Sequence, residues 1–228
     1  MNLDFFRDAT IVFDLDGTLV DTAPDLVGAT NHAMRLAGLA PRPAAELRPW
    51  ISFGARRMVI EALAANRQSA DDGTIDKLLA DFLDYYEANI SRESRPFPGS
   101  LDAIRILRDA GARTAICTNK REVLTARLIG ELDIAQHFDA IVGRDTLPVS
   151  KPHPGHLTGT IERAGGALAR AVMIGDSGVD IATARAAGVP VVAVTFGYSD
   201  VPVTEFAPDA VIDGYDELIG HLGGLLTR

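Results

Sequence analysis

The segment 10–21 restricts the possible folds of this chain more than any other part of the sequence. Its apolar run, residues 11–13, ends directly on Asp14 and Asp16, and a Gly-Thr pair follows at once. A short apolar run bounded by polar residues is typical of a strand that is buried on both faces of a parallel sheet. Such sheets bind their ligands at the carboxyl ends of the strands. The segment therefore predicts a buried strand that carries two carboxylates to a ligand site.

Segments with strand and helix patterns alternate over most of the remaining chain. This alternation predicts an α/β fold, in which a parallel sheet has helices on both faces. The strands are predicted at residues 10–14, 113–118, 140–142, 171–175, 191–194 and 210–212. The helices are predicted at residues 98–110, 121–132, 154–164, 178–187 and 215–225.

The interval 22–93 interrupts this alternation. It contains no good strand candidate, but its apolar residues recur at three- and four-residue spacing, which is typical of amphipathic helices. These helices are predicted at residues 26–38, 55–65 and 74–90. The chain returns through 92–99, which is rich in charge, proline and glycine. We therefore expect two domains: a core formed by 1–21 and 94–228, and a helical domain, 22–93, that lies over the sheet.

Composition limits the partners of the protein. The 228 residues carry a net charge of −9, which argues against a nucleic-acid surface. An anionic substrate would then require a metal ion and a few placed cations to reverse the local field. Lysine is scarce, and two of its three positions, Lys120 and Lys151, fall in segments that are candidates for a site.

The sequence also bears on location. No apolar run approaches the roughly 20 residues of a membrane span. The first eight residues lack the basic start and the long apolar run of a signal peptide. The single cysteine, Cys117, excludes an internal disulfide, fits a reducing compartment, and ends an apolar strand in the manner of a buried thiol. A cytoplasmic location is expected, and both a monomer and a homodimer remain open.

Asp14 and Asp16 are candidates for covalent and acid–base chemistry. Because neighbours alternate sides along a strand, these two carboxylates should face the same way. They repel each other unless a divalent cation or a shared proton relieves them. Asp14 can attack phosphorus to form an aspartyl phosphate, and Asp16 can serve as acid for the leaving oxygen and base for water. A solvated turn or a calcium loop is the alternative, but the third oxygen ligand and terminal glutamate of an EF-hand loop are missing.

Three further segments supply groups that a phosphate site needs. The stretch 117–120 joins an apolar strand to a helix, where the Thr118 hydroxyl and backbone amides can hold a phosphate or simply cap the helix. Lys151 precedes a proline-initiated helix and is a candidate point charge for phosphate oxygens. Asp176 ends a second apolar strand and can complete an oxygen coordination sphere for Mg²⁺, with helix capping, by Asp176 or by Ser177, as the alternative role. Asp180, one helical turn later, can ligate the metal or orient its water.

These four segments, in this order, resemble the motifs of the haloacid dehalogenase superfamily of phosphohydrolases. The matching stretches are Asp14-Leu-Asp-Gly-Thr-Leu, Thr118-Asn-Lys, Lys151-Pro and Gly175-Asp-Ser-Gly-Val-Asp180. The resemblance implies a Rossmann-like core with a helical cap inserted after the first strand. It implies that Asp14 is the nucleophile and that Asp16 is the general acid and base. The groups that it assigns to Mg²⁺ are Asp14, the backbone carbonyl of Asp16, and Asp176, with Asp180 in support. The residues that it assigns to the transferring phosphoryl group are Thr118, Asn119 and Lys151.

Two longer stretches, 143–154 and 194–198, are similar to bacterial phosphoglycolate phosphatases in particular. The resemblance leads us to expect a Gly-x-Gly in the cap segment 51–57, of which this chain keeps only the second glycine, Gly54. Caps select the substrate in this superfamily, so Gly54 is expected in the substrate-binding region. Arg56 or Arg57 can bind a substrate carboxylate bidentately, or either can belong to the solvated face of the cap helix.

The sequence thus predicts a Mg²⁺-dependent phosphomonoesterase acting on a small phosphorylated metabolite, with 2-phosphoglycolate as the expected substrate. Within enzymes, the alternatives are a sugar phosphomutase, a pyrophosphatase and a nucleotidase. Outside enzymes, a phospho-ligand binding protein or a phosphorylated receiver-like switch would share an Asp, Thr and Lys site. Neither of these would need the inserted helices or Asp16. Neither a nucleic acid nor a membrane is expected as a partner.

Overall fold

A six-stranded parallel sheet forms the centre of the molecule. The structure, a computed structural model, describes residues 3–226. The strands are β1 (Thr10–Phe13), β2 (Val20–Asp21), β3 (Arg95–Pro96), β4 (Arg113–Cys117), β5 (Ala140–Val142), β6 (Ala171–Gly175), β7 (Val191–Val194) and β8 (Ala210–Ile212). Across the large sheet the order is β5-β4-β1-β6-β7-β8, and each neighbouring pair is parallel. The small strands β2 and β3 form a separate antiparallel ladder.

The central position of β1 explains the apolar run at residues 11–13. Phe13 lies opposite Ile116 of β4 and Ile174 of β6, so these three strands end at the same edge of the sheet. Ile11 and Phe13 belong to the hydrophobic cluster on one face, and Val12 belongs to the cluster on the other. Because both faces are covered, residues 11–13 must all be apolar; Thr10, at the start of the strand, is polar although it is also buried.

Helices cover both faces of the sheet, which confirms the predicted α/β fold. The helices are α1 (Ala23–Leu36), α2 (Ala44–Leu47), α3 (Ala55–Ala65), α4 (Asp72–Ala88), α5 (Ser100–Asp109), α6 (Glu122–Glu131), α7 (Pro154–Arg163), α8 (Gly178–Ala187) and α9 (Leu218–Leu226). Helices α7 and α8 pack together against one face, and α5, α6 and α9 contribute to the core on the other. Among residues 3–226, no helix combines the length and the apolarity needed to cross a bilayer.

The strands of the large sheet occupy the predicted positions, with small differences at their ends. The first two predicted strands end one residue early, at Phe13 and Cys117. Asp14 and Thr118 each still donate their N–H to a neighbouring strand, at 2.9 Å and 3.0 Å, before the chain enters a loop. The last helix begins at Leu218 rather than at residue 215. Cys117 is buried, as its place in an apolar strand predicts.

The interval 22–93 forms helices α1 to α4 and a 3-10 helix, Arg48–Phe53, and contains no strand. Helix α1 packs on both α3 and α4, and the apolar residues of this block join the hydrophobic cluster on one face of the sheet. The β2–β3 ladder, which the sequence did not predict, joins the chain at the two ends of the block. The division into a core domain and a cap domain at residues 22 and 93 stays a prediction.

A buried carboxylate ties together the two chain segments at the base of this helical block. Asp25, in the first turn of α1, accepts hydrogen bonds from the backbone N–H groups of Glu93 and Ser94, the latter at 2.8 Å. It also accepts the Ser94 hydroxyl at 2.7 Å. The segment that leaves the sheet and the segment that returns to it are therefore held side by side.

Candidate active site

Asp14 and Lys151 form the centre of a polar cluster at the carboxyl edge of the sheet. The Lys151 ammonium lies 2.9 Å from Asp14 Oδ1 and donates to Asp180 Oδ1 at 2.6 Å. Burial raises the pKa of Asp14 to about 6, although the charge of Lys151 acts in the opposite direction. Burial alone would favour neutral Lys151, but the charges of Asp14 and Asp180 raise its pKa instead. The lysine therefore stays protonated beside the carboxylate that it contacts.

Asp176 reaches the same cluster from the end of β6. Its two oxygens accept the Thr18 hydroxyl at 3.0 Å and the Tyr198 N–H at 2.7 Å. Burial, reinforced by the charges of Asp180 and Asp14, raises the pKa of Asp176 well above its usual value. A Cβ atom added at Gly197 would lie 2.1 Å from the Asp176 Cβ, so the neighbouring loop can pass the carboxylate only as glycine. Asp176 is thus held through both of its carboxylate oxygens and by close packing of the Gly197 backbone.

Asp180 is held by the start of α8. Ser177 is the N-cap of this helix and forms a capping box with Asp180, in which Asp180 Oδ2 accepts both the backbone N–H and the hydroxyl of Ser177. The other oxygen accepts from Lys151. The capping role that the sequence suggested for this segment is therefore real, and it orients a carboxylate toward the cluster.

These carboxylates fit a divalent cation. Oxygen atoms of Asp14, Asp176 and Asp180 all lie within 4.8 Å of one another, and the three residues are buried. With Asp16 the site contains four carboxylates but only two ammonium groups, those of Lys120 and Lys151. If all four carboxylates are ionised, two negative charges remain in a low-dielectric region, where they are costly unless a cation compensates them. An all-oxygen donor set of this kind suits Mg²⁺. Assignment of any residue as a metal ligand stays a proposal.

Asp16 occupies a separate part of the site. Both of its oxygens accept from the Lys120 ammonium, at 2.9 Å and 3.0 Å, and Oδ1 also accepts the Thr22 hydroxyl at 2.8 Å. Its carboxylate is not in the group of three that surrounds the candidate metal position. Asp16 and Asp14 nevertheless line the same cleft, and Asp16 faces it from the side nearer α1.

Lys120 lies in a candidate segment, but the sequence reasoning gave it no role in the site. Its side chain is 5% exposed, and its ammonium lies 4.8 Å from the centre of the Tyr86 ring, at the end of α4. The charge of Asp16 raises the pKa of Lys120 against the opposing effect of burial. The available signal was the scarcity of lysine together with the position of Lys120 directly after Thr118 and Asn119. Its contact with Asp16, 104 positions away, has no signature in the sequence.

Thr118 and Asn119 follow β4 at the same edge. The Thr118 hydroxyl accepts the Lys120 N–H at 3.2 Å. The Asn119 side chain makes two hydrogen bonds to the backbone of Lys151, donating to its carbonyl at 3.0 Å and accepting its N–H at 3.1 Å. Asn119 therefore holds the loop that presents Lys151. The predicted contacts of Thr118, Asn119 and Lys151 with a phosphoryl group stay predictions.

A cleft of about 520 Å³ lies between these residues and the helical block. Gly54 and Arg56 line it from the start of α3, as the substrate-binding prediction requires. The Arg56 guanidinium is also bound by two aspartates of α4, Asp72 at 2.7 Å and Asp76. The role of Gly54 and Arg56 in substrate binding stays a prediction.

Comparison with known proteins places this arrangement in context. Residues 11–194 match the pattern of the haloacid dehalogenase-like hydrolases. The chain is 50% identical over 218 residues to a phosphoglycolate phosphatase of Mesorhizobium japonicum, covering 96% of both chains. It is 45% identical over 207 residues to a phosphoglycolate phosphatase of Agrobacterium fabrum, covering 91% of this chain and 89% of that one. The crystal structure of a predicted phosphoglycolate phosphatase from Haemophilus somnus superposes with a TM-score of 0.86 at 27% identity, covering 94% of this chain and 97% of the other.

Proposed function

The chain belongs to the haloacid dehalogenase-like hydrolases, and we propose that it is a Mg²⁺-dependent phosphatase that converts 2-phosphoglycolate to glycolate and phosphate. The observation that carries this proposal is the convergence of Asp14, Asp16 and Asp176 with two buried lysines at one edge of the sheet. The choice of 2-phosphoglycolate as substrate follows the names of its relatives, which are phosphoglycolate phosphatases. The cleft above the carboxylates supplies room for a small phosphate ester.

In the first step, Asp14 attacks phosphorus and the bond to the ester oxygen breaks. Asp16 donates its proton to the departing alkoxide, which leaves as the alcohol group of glycolate. The product on the protein is an aspartyl phosphate at Asp14. Lys151, 2.9 Å from the nucleophile, lies where it can offset the negative charge of the phosphoryl oxygens.

In the second step, water hydrolyses the aspartyl phosphate. Asp16, now a carboxylate, takes a proton from the attacking water, so that phosphate is released and both aspartates return to their starting states. The Lys120 ammonium holds both oxygens of Asp16. This contact orients the carboxylate form of Asp16, which is the form that acts in this second step.

The residues that would hold Mg²⁺ are Asp14 and Asp176, with the Asp16 carbonyl as the resemblance implies and Asp180 in support. When bound, the ion supplies charge stabilisation for the phosphoryl oxygens. Two features of this chain favour Mg²⁺ binding: the candidate ligands are all oxygen atoms, and the two lysines do not neutralise all four carboxylates when these are ionised.

We expect Mg²⁺ to stabilise the folded protein even without substrate. Adding it to EDTA-treated protein should raise the thermal unfolding midpoint, because binding to the folded state contributes about 2.7 kcal/mol when the free ion is at 100 times its Kd. Differential scanning calorimetry measures the shift. Asp176→Asn should largely lose it, whereas the exposed-site control Asp102→Asn should keep it. An unchanged wild-type midpoint at millimolar Mg²⁺ would contradict the metal assignment.

The proposed function is tested by phosphate release from a panel of esters. The panel contains 2-phosphoglycolate, sugar phosphates, nucleotides and pyrophosphate, each measured with Mg²⁺ and with EDTA. We expect Mg²⁺-dependent release with a clear preference for 2-phosphoglycolate. Preference for another ester would keep the phosphatase chemistry and overturn the substrate. Conversion of a sugar 1-phosphate to the 6-phosphate without phosphate release would indicate a mutase instead.

A further inference from the structure

The cleft is lined by five cationic side chains, and four of them already have acidic partners. Lys120 and Lys151 pair with the aspartates of the site, Arg56 pairs with Asp72 and Asp76, and Arg121 lies 3.7 Å from Asp145. The fifth is Arg144, whose side chain makes no ion pair or hydrogen bond with any residue of the range 3–226. It is exposed, and it lies on the same cleft as Asp14.

The backbone that carries Arg144 is fixed from the site side. The backbone N–H of Arg144 donates to the Lys120 carbonyl at 2.8 Å. The backbone of Arg144 therefore lies directly beside Lys120, whose side chain binds Asp16. Asp145 accepts the backbone N–H of Glu122 at 2.7 Å, at the start of α6. Two neighbouring residues are therefore tied to the segment that follows Asn119.

The preceding residue, Gly143, is held from the opposite side. Its carbonyl can only accept, so the fully buried ring of His156 must donate to it from Nε2, at 3.0 Å. Burial lowers the pKa of His156, which is consistent with a neutral ring whose Nδ1 accepts from the Cys117 thiol at 3.3 Å. A Cβ atom at Gly143 would lie 2.6 Å from the Glu122 Cα, so only glycine permits this approach. A fixed turn thus presents an exposed, unpaired guanidinium.

We infer that Arg144 binds the carboxylate of the substrate and is the residue that selects a phosphorylated carboxylic acid over a neutral ester. A guanidinium can bind a carboxylate through two parallel hydrogen bonds. The Arg144 guanidinium has no ion pair within residues 3–226 that must break before it binds a substrate. Arg56, in contrast, would have to release two aspartates first. The inference rests on the proposed function, since it assumes that the substrate carries a carboxylate beside its phosphoryl group.

The test compares 2-phosphoglycolate with ethyl phosphate, which has the same two-carbon chain but a methyl group in place of the carboxylate. Arg144→Ala should lower kcat/KM for 2-phosphoglycolate roughly 10- to 100-fold, mostly through KM, as expected for one lost hydrogen-bonded charge pair. Activity on ethyl phosphate should change less than about twofold, since a group that contacts only the carboxylate binds nothing there. Arg144→Lys should restore part of the preference, because it keeps the charge but not the bidentate geometry.

Arg121→Ala is the matched control, since it removes a cation from the same cleft that already has a carboxylate partner. It should leave the ratio between the two substrates unchanged. Thermal unfolding of Arg144→Ala should match that of the wild type, because the exposed side chain has no hydrogen bond or ion pair within residues 3–226 to lose. If the wild type shows no preference for 2-phosphoglycolate, the proposed substrate and this inference are both overturned. If the wild type shows the preference and Arg144→Ala keeps it, or if Arg56→Ala loses it instead, the inference alone is overturned.

Discussion

Asp14→Asn should abolish phosphate release from every substrate. The amide has the shape of the carboxylate but cannot attack phosphorus, so the aspartyl phosphate cannot form. Loss of a nucleophile on which both steps depend is expected to lower kcat by at least about 10⁴-fold, in line with nucleophile removal in other covalent enzymes. The fold should persist, because Lys151 keeps its 2.6 Å contact with Asp180 and one of the repelling carboxylates is gone.

Steady-state phosphate release with saturating Mg²⁺ measures this effect, and thermal unfolding confirms that the variant is folded. Asp102→Asn provides the control, since it makes the same chemical change on the exposed surface of α5. A folded Asp14→Asn that retained activity within tenfold of the wild type would exclude Asp14 as the nucleophile. Asp16 would then be the next carboxylate to test, because it lines the same cleft.

The strands and the acidic residues at their ends could be predicted because burial on both faces of the sheet constrains the sequence of both. A strand buried on both faces, such as β1 or β6, must be largely apolar, so its run stands out against its surroundings. The first polar residue after it, Asp14 or Asp176, must then lie at the edge where parallel strands end together. The end of an apolar run in the sequence therefore marks the position of a residue at this edge of the sheet.

The contacts that organise the site could not be predicted in this way. The ion pair of Lys120 with Asp16 depends on how two loops converge across 104 residues, and no local pattern encodes that meeting. The sequence could predict that Arg56 lies on the exposed face of a helix. It could not predict the ion pairs of Arg56, because Asp72 and Asp76 lie on a different helix, α4. The β2–β3 ladder has two residues in each strand, which is too short for any periodicity.

Lys151→Ala should damage stability and catalysis together. The ammonium is buried between Asp14 and Asp180, so its removal leaves two carboxylates facing each other without a cation. Breaking a buried ion pair in this way costs about 3–5 kcal/mol of unfolding free energy. Loss of one group that offsets charge on the phosphoryl oxygens should lower kcat on the order of 10²–10³-fold. Urea unfolding in EDTA measures the first effect, and phosphate release with Mg²⁺ measures the second.

A second variant separates the two roles of this lysine. Lys151→Ala combined with Asp180→Asn removes one of the stranded carboxylates, so part of the lost stability should return while the rate stays low, because the cation beside Asp14 is still missing. Lys77→Ala, on the exposed face of α4, controls for loss of a lysine and should change neither quantity. Recovery of the rate together with stability would mean that Lys151 only supports the fold. A Lys151→Ala protein as stable as the wild type would contradict the buried ion pair itself.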